Sequence, residues 1–124
     1  MRRICYEVKV SRADFLGELK QPLKRRIGMR YSNEFYFVAP RGLLAAAEIP
    51  IDCGLVEVCT FEKMAELSYF DGETGMQCTV AVPAPWRDTP PPTWQFTAAM
   101  LRNQRREMEG KPPAPPKQGR LELR

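Results

Sequence analysis

A glutamate and a lysine stand two residues apart near the start of the chain, as Glu7 and Lys9. Residues 4–10 alternate between apolar and polar types, a pattern that predicts a β-strand. Residues two apart on a strand lie on the same face, so we expect the carboxylate and the ammonium side by side. A carboxylate can bind Mg²⁺, and an ammonium beside it can orient an attacking water or balance phosphate charge. The pair is therefore a candidate for metal-dependent phosphodiester hydrolysis, with Glu7 as the metal ligand.

The same pair has a simpler interpretation. Glu7 and Lys9 could form an ion pair on a half-exposed strand, which would contribute little to stability. An E-x-K tripeptide occurs by chance in most proteins, so the pair alone does not separate these two interpretations. Which interpretation is better depends on the structural elements predicted around the pair.

The beginning of the chain is basic. Residues 1–31 contain nine Lys or Arg and three acids, whereas the whole chain has a net charge of +4. Such a block suits a phosphate backbone, and the alternative is a solvated helix face. The candidate nucleic-acid-binding residues are Arg12, Lys20, Lys24, Arg25, Arg26 and Arg30.

Composition excludes several classes of chemistry. The chain has no histidine, which removes the Ser-His-Asp and Cys-His mechanisms and histidine metal sites. Its four cysteines form no C-x-x-C pair, which favours reduced, packed thiols over a zinc site. No apolar run approaches the ~20 residues of a membrane helix, and the start lacks the apolar stretch of a signal peptide. We therefore expect a cytoplasmic protein with no membrane partner.

The elements that would position the pair can be predicted along the chain. Ser11 is placed as the N-cap of a helix, with Asp14 in its first turn and Pro22 interrupting it. Residues 34–39 are apolar on both faces, which predicts a central strand, and residues 55–60 predict another. Among the aromatic residues, Tyr6, Phe35 and Phe37 are expected in the core.

The second half is less regular. Residues 67–70 and 77–82 predict two strands around a turn at 71–75, and residues 83–92 form a proline-rich connector. Thr93 is the expected N-cap of a helix that runs to about Glu109. We expect a single domain over residues 1–109 and a disordered, proline-rich tail over 110–124.

A resemblance to a known family begins at Glu7, in the run EVKVSRADFLGELKQPLKRRIGMRYSNEFYFVAPRGLL. This run resembles the core of small PD-(D/E)XK nuclease-like proteins of phages and bacteria, a group that includes the MmcB-like DNA-repair proteins. The shared features are the E-x-K strand, the S-R-x-D-F start of a helix, the K-R-R segment and the strand S-N-x-F-Y-F-V-A-P. The resemblance covers residues 4–60 well and residues 93–106 loosely.

The resemblance implies a restriction-endonuclease-like α/β fold, in which helices flank a mixed β-sheet. It also implies metal-dependent cleavage of DNA, with Glu7 as a metal ligand, Lys9 as the catalytic lysine, and Mg²⁺ or Mn²⁺ as the cofactor. The family has a further aspartate one strand upstream, which has no counterpart before Glu7, so we expect an N-terminally truncated version of the fold. Asp14 and Glu18 could replace that aspartate, but we expect both to face solvent or to cap the helix.

Three functions follow from these interpretations. The first is a DNA nuclease or repair-type phosphodiesterase. The second is an inactive, degenerate domain of this fold that binds nucleic acid or a protein partner, as a phage-encoded inhibitor of host defence would. The third is a structural domain that forms a homodimer through an exposed sheet edge.

Overall fold

The computed structural model describes residues 1–60 and 76–112. Contacts between residues divide the chain into two compact units, Met1–Pro90 and a second unit that begins at Pro91. The division falls within the proline-rich connector predicted at residues 83–92. The sheet belongs to the first unit and the long C-terminal helix to the second.

The described elements of the first unit follow the predicted order. They are β1 (Ile4–Val8), α1 (Arg12–Leu19), α2 (Pro22–Met29), β2 (Glu34–Pro40), a 3₁₀ turn (Ala46–Glu48), β3 (Gly54–Thr60) and β4 (Met76–Val82). Ser11 caps α1, because its hydroxyl accepts a hydrogen bond of 3.2 Å from the backbone N–H of Asp14. Pro22 opens α2 at a position where a helix tolerates the missing N–H, so the predicted interruption is a break between two helices.

The four described strands form one mixed sheet in the order β1-β2-β3-β4. The first three strands are parallel, and β4 pairs with β3 in the antiparallel sense. Strand β2 is central as predicted, whereas β1 lies at an edge of this sheet. The chain therefore has an α/β fold with an open mixed sheet, and α1 and α2 connect the parallel strands β1 and β2.

The core lies between the two helices and one face of the sheet. Phe15 of α1 packs edge-on against Phe37 of β2, with ring centroids 5.2 Å apart. Phe35 and Leu55 are buried beside them, which confirms Phe35 and Phe37 as core residues. These four side chains attach α1 to the sheet and so fix the position of its remaining residues.

Strand β1 presents its apolar side chains to the open face of the sheet. Tyr6 is 56% exposed and Val8 63% exposed, and Val10 just after the strand is exposed as well. The expectation that Tyr6 lies in the core was therefore wrong. Its ring instead stacks on Tyr36 of β2, with centroids 6.0 Å apart. The helices cover the other face of β1, which carries Cys5 and Glu7.

One glycine is required where β2 and β3 run side by side. A Cβ atom on Gly54 would lie 2.4 Å from the ring of Tyr36 and 2.6 Å from the backbone nitrogen of Ala84. The backbone nitrogen cannot move aside as a flexible side chain could, so any larger residue would force the strands or the following segment apart.

The second unit contains helix α3 (Trp94–Met108). The Thr93 hydroxyl caps it by accepting a hydrogen bond of 3.2 Å from the backbone N–H of Phe96, as the sequence predicted. Arg105 and Arg106 lie in its last turn, where positive charge complements the helix dipole.

Two predictions fall largely outside the described residues. The strand at 67–70 and the turn at 71–75 lie outside them, while the strand predicted at 77–82 is confirmed as β4. Of the predicted tail over 110–124, residues 113–124 lie outside the described part of the chain.

Candidate functional site

Lys9 lies at the end of β1 where the parallel strands finish. Its backbone N–H donates a hydrogen bond of 2.8 Å to the carbonyl of Val38, so the residue continues the pairing with β2 beyond the strand. Its side chain points to the face that the helices cover and is only 3% exposed. Ligands of sheets with parallel strands commonly bind outside this end of the strands.

Three carboxylates surround the ammonium of Lys9. Its Nζ atom lies 2.6 Å from Glu18 Oε2, 3.2 Å from Glu7 Oε1 and 3.5 Å from Asp14 Oδ2. Glu7 comes from β1, and the other two come from α1. We call these four residues the Lys9 cluster. The predicted neighbours Glu7 and Lys9 are thus in contact, with two acids that the E-x-K pattern alone does not include.

The cluster has a buried half and an accessible half. Glu18 is as buried as Lys9, with 3% of its side chain exposed. The side chain of Glu7 is 36% exposed and that of Asp14 is 55% exposed. A molecule approaching from solvent would therefore meet the carboxylates of Glu7 and Asp14 first.

The expectation that Asp14 and Glu18 face solvent or cap the helix was wrong for Glu18. The backbone of Asp14 does take part in the cap of α1, but Glu18 points inward. Glu18 is three residues after the core residue Phe15 and four after Asp14, so the helical repeat brings it to the sheet side of α1. That spacing is the sequence signal that could have found it.

The surroundings of Lys9 keep it charged. Burial acts to lower the pKa of its ammonium, but the hydrogen bonds and charges of Glu18 and Glu7 outweigh burial and raise the pKa above its ordinary value of 10.5. At neutral pH the side chain is a fixed positive charge, so it can stabilise negative charge but cannot accept a proton.

Two clefts adjoin the cluster, and Glu18 lines both of them. The first, of about 240 Å³, lies between β1 and α2 and is lined by Cys5, Glu7, Glu18, Lys24, Arg25 and Gly28, among others. The second, of about 280 Å³, is lined by Asp14, Gly17, Glu18, Gln21 and Lys24, among others. Both clefts are therefore lined by at least one carboxylate of the cluster and by a cation of α2.

Gly28 keeps α2 close to the sheet at the first cleft. A Cβ atom there would lie 3.1 Å from Cys5 Sγ and 3.1 Å from the ring of Phe35. Cys5 itself is a poor nucleophile, because burial and the charge of Glu7 raise the pKa of its thiol. The chemistry of this cleft therefore rests on its charged residues.

The six basic residues predicted to bind nucleic acid differ in their contacts and in their exposure. Arg12 is engaged, because its Nη1 donates hydrogen bonds to Glu48 Oε2 at 3.0 Å and to the carbonyl of Leu43 at 3.1 Å. The guanidinium of Arg30 lies over the ring of Tyr31, 5.3 Å from its centroid. Lys20 and Arg26 are exposed and line neither cleft. Lys24 and Arg25 are the two that lie beside the Lys9 cluster.

The family resemblance implies a metal ion, and the residues of the Lys9 cluster can be compared with what such an ion needs. In residues 1–60 and 76–112, no group of three or more His, Cys, Asp or Glu side chains could hold a metal ion by itself. Mg²⁺ is usually held by one or two protein carboxylates together with waters and substrate phosphates. Glu7 and Asp14 offer two such carboxylates, and three acids around one ammonium leave the cluster with a formal charge of −2. A metal bound by Glu7 and Asp14 would therefore need its remaining ligands from water or from a substrate.

Comparison with known proteins bears on the fold alone. No protein-family model matches the sequence, and no curated protein matches it. The chain is similar in structure to the SPO1766 protein of unknown function from Silicibacter pomeroyi, with a TM-score of 0.50 and 15% sequence identity over 86% of this chain. The chain spans 62% of the length of that protein. The likeness shows that a second protein shares this arrangement of strands and helices.

Among the described helices, none has the length and apolar character needed to cross a bilayer.

Proposed function

We propose that the protein is a metal-dependent phosphodiesterase that cleaves nucleic acid, with DNA as its substrate. The observation that supports this most is the convergence of Glu7, Asp14 and Glu18 on Lys9 at the open end of the parallel strands. Acid residues and a lysine at this place match the chemistry that the PD-(D/E)XK resemblance implies. We propose in addition that the chain is related to that superfamily and has the restriction-endonuclease-like form of the fold.

Within this proposal the four cluster residues have different roles. Glu7 and Asp14 hold Mg²⁺ or Mn²⁺ through their accessible carboxylates, and Asp14 thereby takes the place of the upstream aspartate. Glu18 is a positioning residue, because its buried carboxylate lies 2.6 Å from the ammonium of Lys9 and holds it in place. The bound metal would supply an activated water and neutralise charge on the phosphate.

Lys9 acts as an electrostatic catalyst in this mechanism. The raised pKa of Lys9 favours its protonated form, so we assign it an electrostatic role and not that of the general base. Its fixed ammonium can orient a water through hydrogen bonds and can stabilise the negative charge that develops on the phosphate oxygens. Burial strengthens this effect, since the charge is not screened by bulk water.

A binding module without hydrolysis is the second candidate. It is favoured by the closeness of the Lys9 ammonium to all three carboxylates, since each of them already has a cationic partner. The edge strand β1, with Tyr6 and Val8 exposed, also offers a place where a protein partner or a second copy of the chain could add a strand.

A cleavage assay separates the two candidates. Labelled single-stranded and double-stranded DNA would be incubated with the protein and Mg²⁺, then Mn²⁺, with EDTA as the blank. Glu7→Ala and Lys9→Ala would be run beside the parent under conditions in which circular dichroism shows each of them folded, and Glu107→Ala on the exposed face of α3 would be the matched control. We expect cleavage by the parent and the control, and a loss of about 100-fold or more in the two cluster variants.

Two results would count against the enzyme. If the parent cleaves neither form of DNA with either metal, the binding module becomes the better account. If cleavage survives both cluster substitutions, the activity comes from elsewhere or from a contaminant.

A further inference from the structure

Lys24 and Arg25 are two adjacent cations on α2. Among the described residues, no carboxylate forms an ion pair with either of them. Two guanidinium nitrogens of Arg25, Nε and Nη1, are enclosed by protein and donate no hydrogen bond to the described part of the chain. Both residues line the first cleft, which Glu7 and Glu18 also line.

An unsatisfied, buried guanidinium N–H is costly to a folded protein. An anion in the cleft would supply the charge partner that the described carboxylates do not, and the planar donor fork of arginine matches the oxygens of a phosphate group. Lys24 would add a point charge beside it. The N-terminus of α2 also favours an anion, because its first turn contains no acid and Gln21 provides no side-chain cap.

We propose that Lys24 and Arg25 form a phosphate subsite that anchors a nucleic-acid strand beside the Lys9 cluster. This inference rests on the proposed function, because it assigns a second point at which the protein holds the same substrate. The division of charge along the cleft favours the α2 side for the strand, since a phosphate is attracted by Lys24 and Arg25 and repelled by the carboxylates of Glu7 and Glu18. The neighbouring basic residues Arg12 and Arg30 are occupied by Glu48 and Tyr31 and take no part.

The test is direct binding of a fluorescent DNA oligonucleotide, followed by anisotropy in EDTA so that no metal or turnover is involved. The double variant Lys24→Gln/Arg25→Gln would be compared with Lys20→Gln/Arg26→Gln, which removes the same charge from nearby residues outside the clefts. We expect the first pair to weaken binding by about tenfold or more and the second by about threefold or less. The slope of log affinity against log salt concentration should fall by about one for each phosphate group that the variant no longer binds.

A single variant and a competitor exclude unfolding and free-phosphate binding as explanations of the result. Lys24→Gln alone changes an exposed residue and leaves the fold intact, so it should still weaken binding if the double variant unfolds. Inorganic phosphate serves as competitor, and we expect it to displace the oligonucleotide only at a far higher concentration.

Three outcomes would overturn the inference: no binding by the parent, equal weakening by the two double variants, or inorganic phosphate binding as tightly as the oligonucleotide. The last would assign the pair to a free phosphate. Because the assay needs no cleavage, a protein that binds in this way but does not hydrolyse DNA would contradict the proposed function and leave the subsite standing.

Discussion

Strand β1 has polar residues on its covered face and apolar residues on its open face, the reverse of the usual arrangement in a sheet. Its covered face carries Cys5 and Glu7, followed by Lys9, whereas its open face carries Tyr6 and Val8. On β2, the covered face holds the apolar residues Phe35 and Phe37 as expected. The helices therefore cover an apolar core at the centre of the sheet and a group of charges at its edge.

Burying charges in this way is expensive, and apolar residues of similar volume often give equal or greater stability. A fold that keeps Lys9 and Glu18 buried while leaving Val8 exposed has not placed its residues for stability alone. Departures of this kind are expected at functional sites. The contrast between the two faces thus supports the function proposed for the Lys9 cluster.

Removing the charge at the centre of the cluster should have the largest effect. Lys9→Ala leaves the buried carboxylate of Glu18 without its cation, and we expect a loss of about 3–5 kcal/mol in the free energy of unfolding. Urea denaturation followed by circular dichroism would measure it.

The matched variant Lys9→Met/Glu18→Leu removes both buried charges together. It should recover most of the stability lost by Lys9→Ala, because no unpaired charge remains, and it should still lack activity. Full activity in this double variant would show that the buried pair only supports the fold.

Gly54→Ala tests the close packing of β3 against Tyr36, on the face of the sheet opposite the helices. The added methyl group would overlap the ring of Tyr36 and the backbone of Ala84, so we expect a loss of about 1–3 kcal/mol in the free energy of unfolding. Gly17→Ala is the control, because a Cβ atom there meets none of the described residues within 4 Å. That change in the middle of α1 should stabilise the protein by about 0.5–1 kcal/mol. Equal effects of the two substitutions would contradict the packing described for β2 and β3.

An exposed ion pair gives a smaller effect and a different pH signature. Arg12 and the backbone N–H of Ala45 hydrogen-bond to Glu48 and lower the pKa of its carboxyl from 4.5 to about 2. Because the folded-state pKa is lowered, the stability from this group is present above pH 4.5 and is lost as the pH falls toward 2. Thermal unfolding from about pH 6 to about pH 2 should show the parent and Glu48→Gln converging over that range. A constant difference between them would rule out this linkage.

The smallest effect is expected on the open face of β1. Val8→Thr keeps the branched shape at an exposed position, so the free energy of unfolding should change by about 0.5 kcal/mol or less, with no change in DNA cleavage. A loss well above about 1 kcal/mol in urea denaturation would mean that part of the protein or a second copy covers this face.

Most of the described fold could be predicted because its signals are local. The alternation at residues 4–10, the caps at Ser11 and Thr93, and the break at Pro22 each depend on a few neighbouring residues. Strand order could not be predicted in this way, and neither could the face of β1 that the helices cover. Both depend on where α1 docks, which the contact between Phe15 and Phe37 decides.

The candidate site was predictable only in part for the same reason. The contact between Glu7 and Lys9 follows from the two-residue period of a strand. Sequence spacing from Phe15 can place Glu18 on the sheet side of α1, but its approach to Lys9 depends on the angle at which α1 crosses the sheet. The basic residues were predicted as one group. Sequence cannot show that Arg12 pairs with Glu48 while Arg25 has no acidic partner in the described part of the chain.

The rate of metal-dependent DNA cleavage by Glu7→Gln, relative to the parent and to Glu57→Gln, tests the central claim most directly. Glu57 lies on the same face of the sheet, but its carboxylate accepts a hydrogen bond of 2.9 Å from the backbone N–H of Gly42, and among the described ion pairs it has none with Lys9. We expect Glu7→Gln to lose about 100-fold or more of the rate and Glu57→Gln to retain it. Equal rates for Glu7→Gln and the parent, or no cleavage by the parent, would contradict that claim.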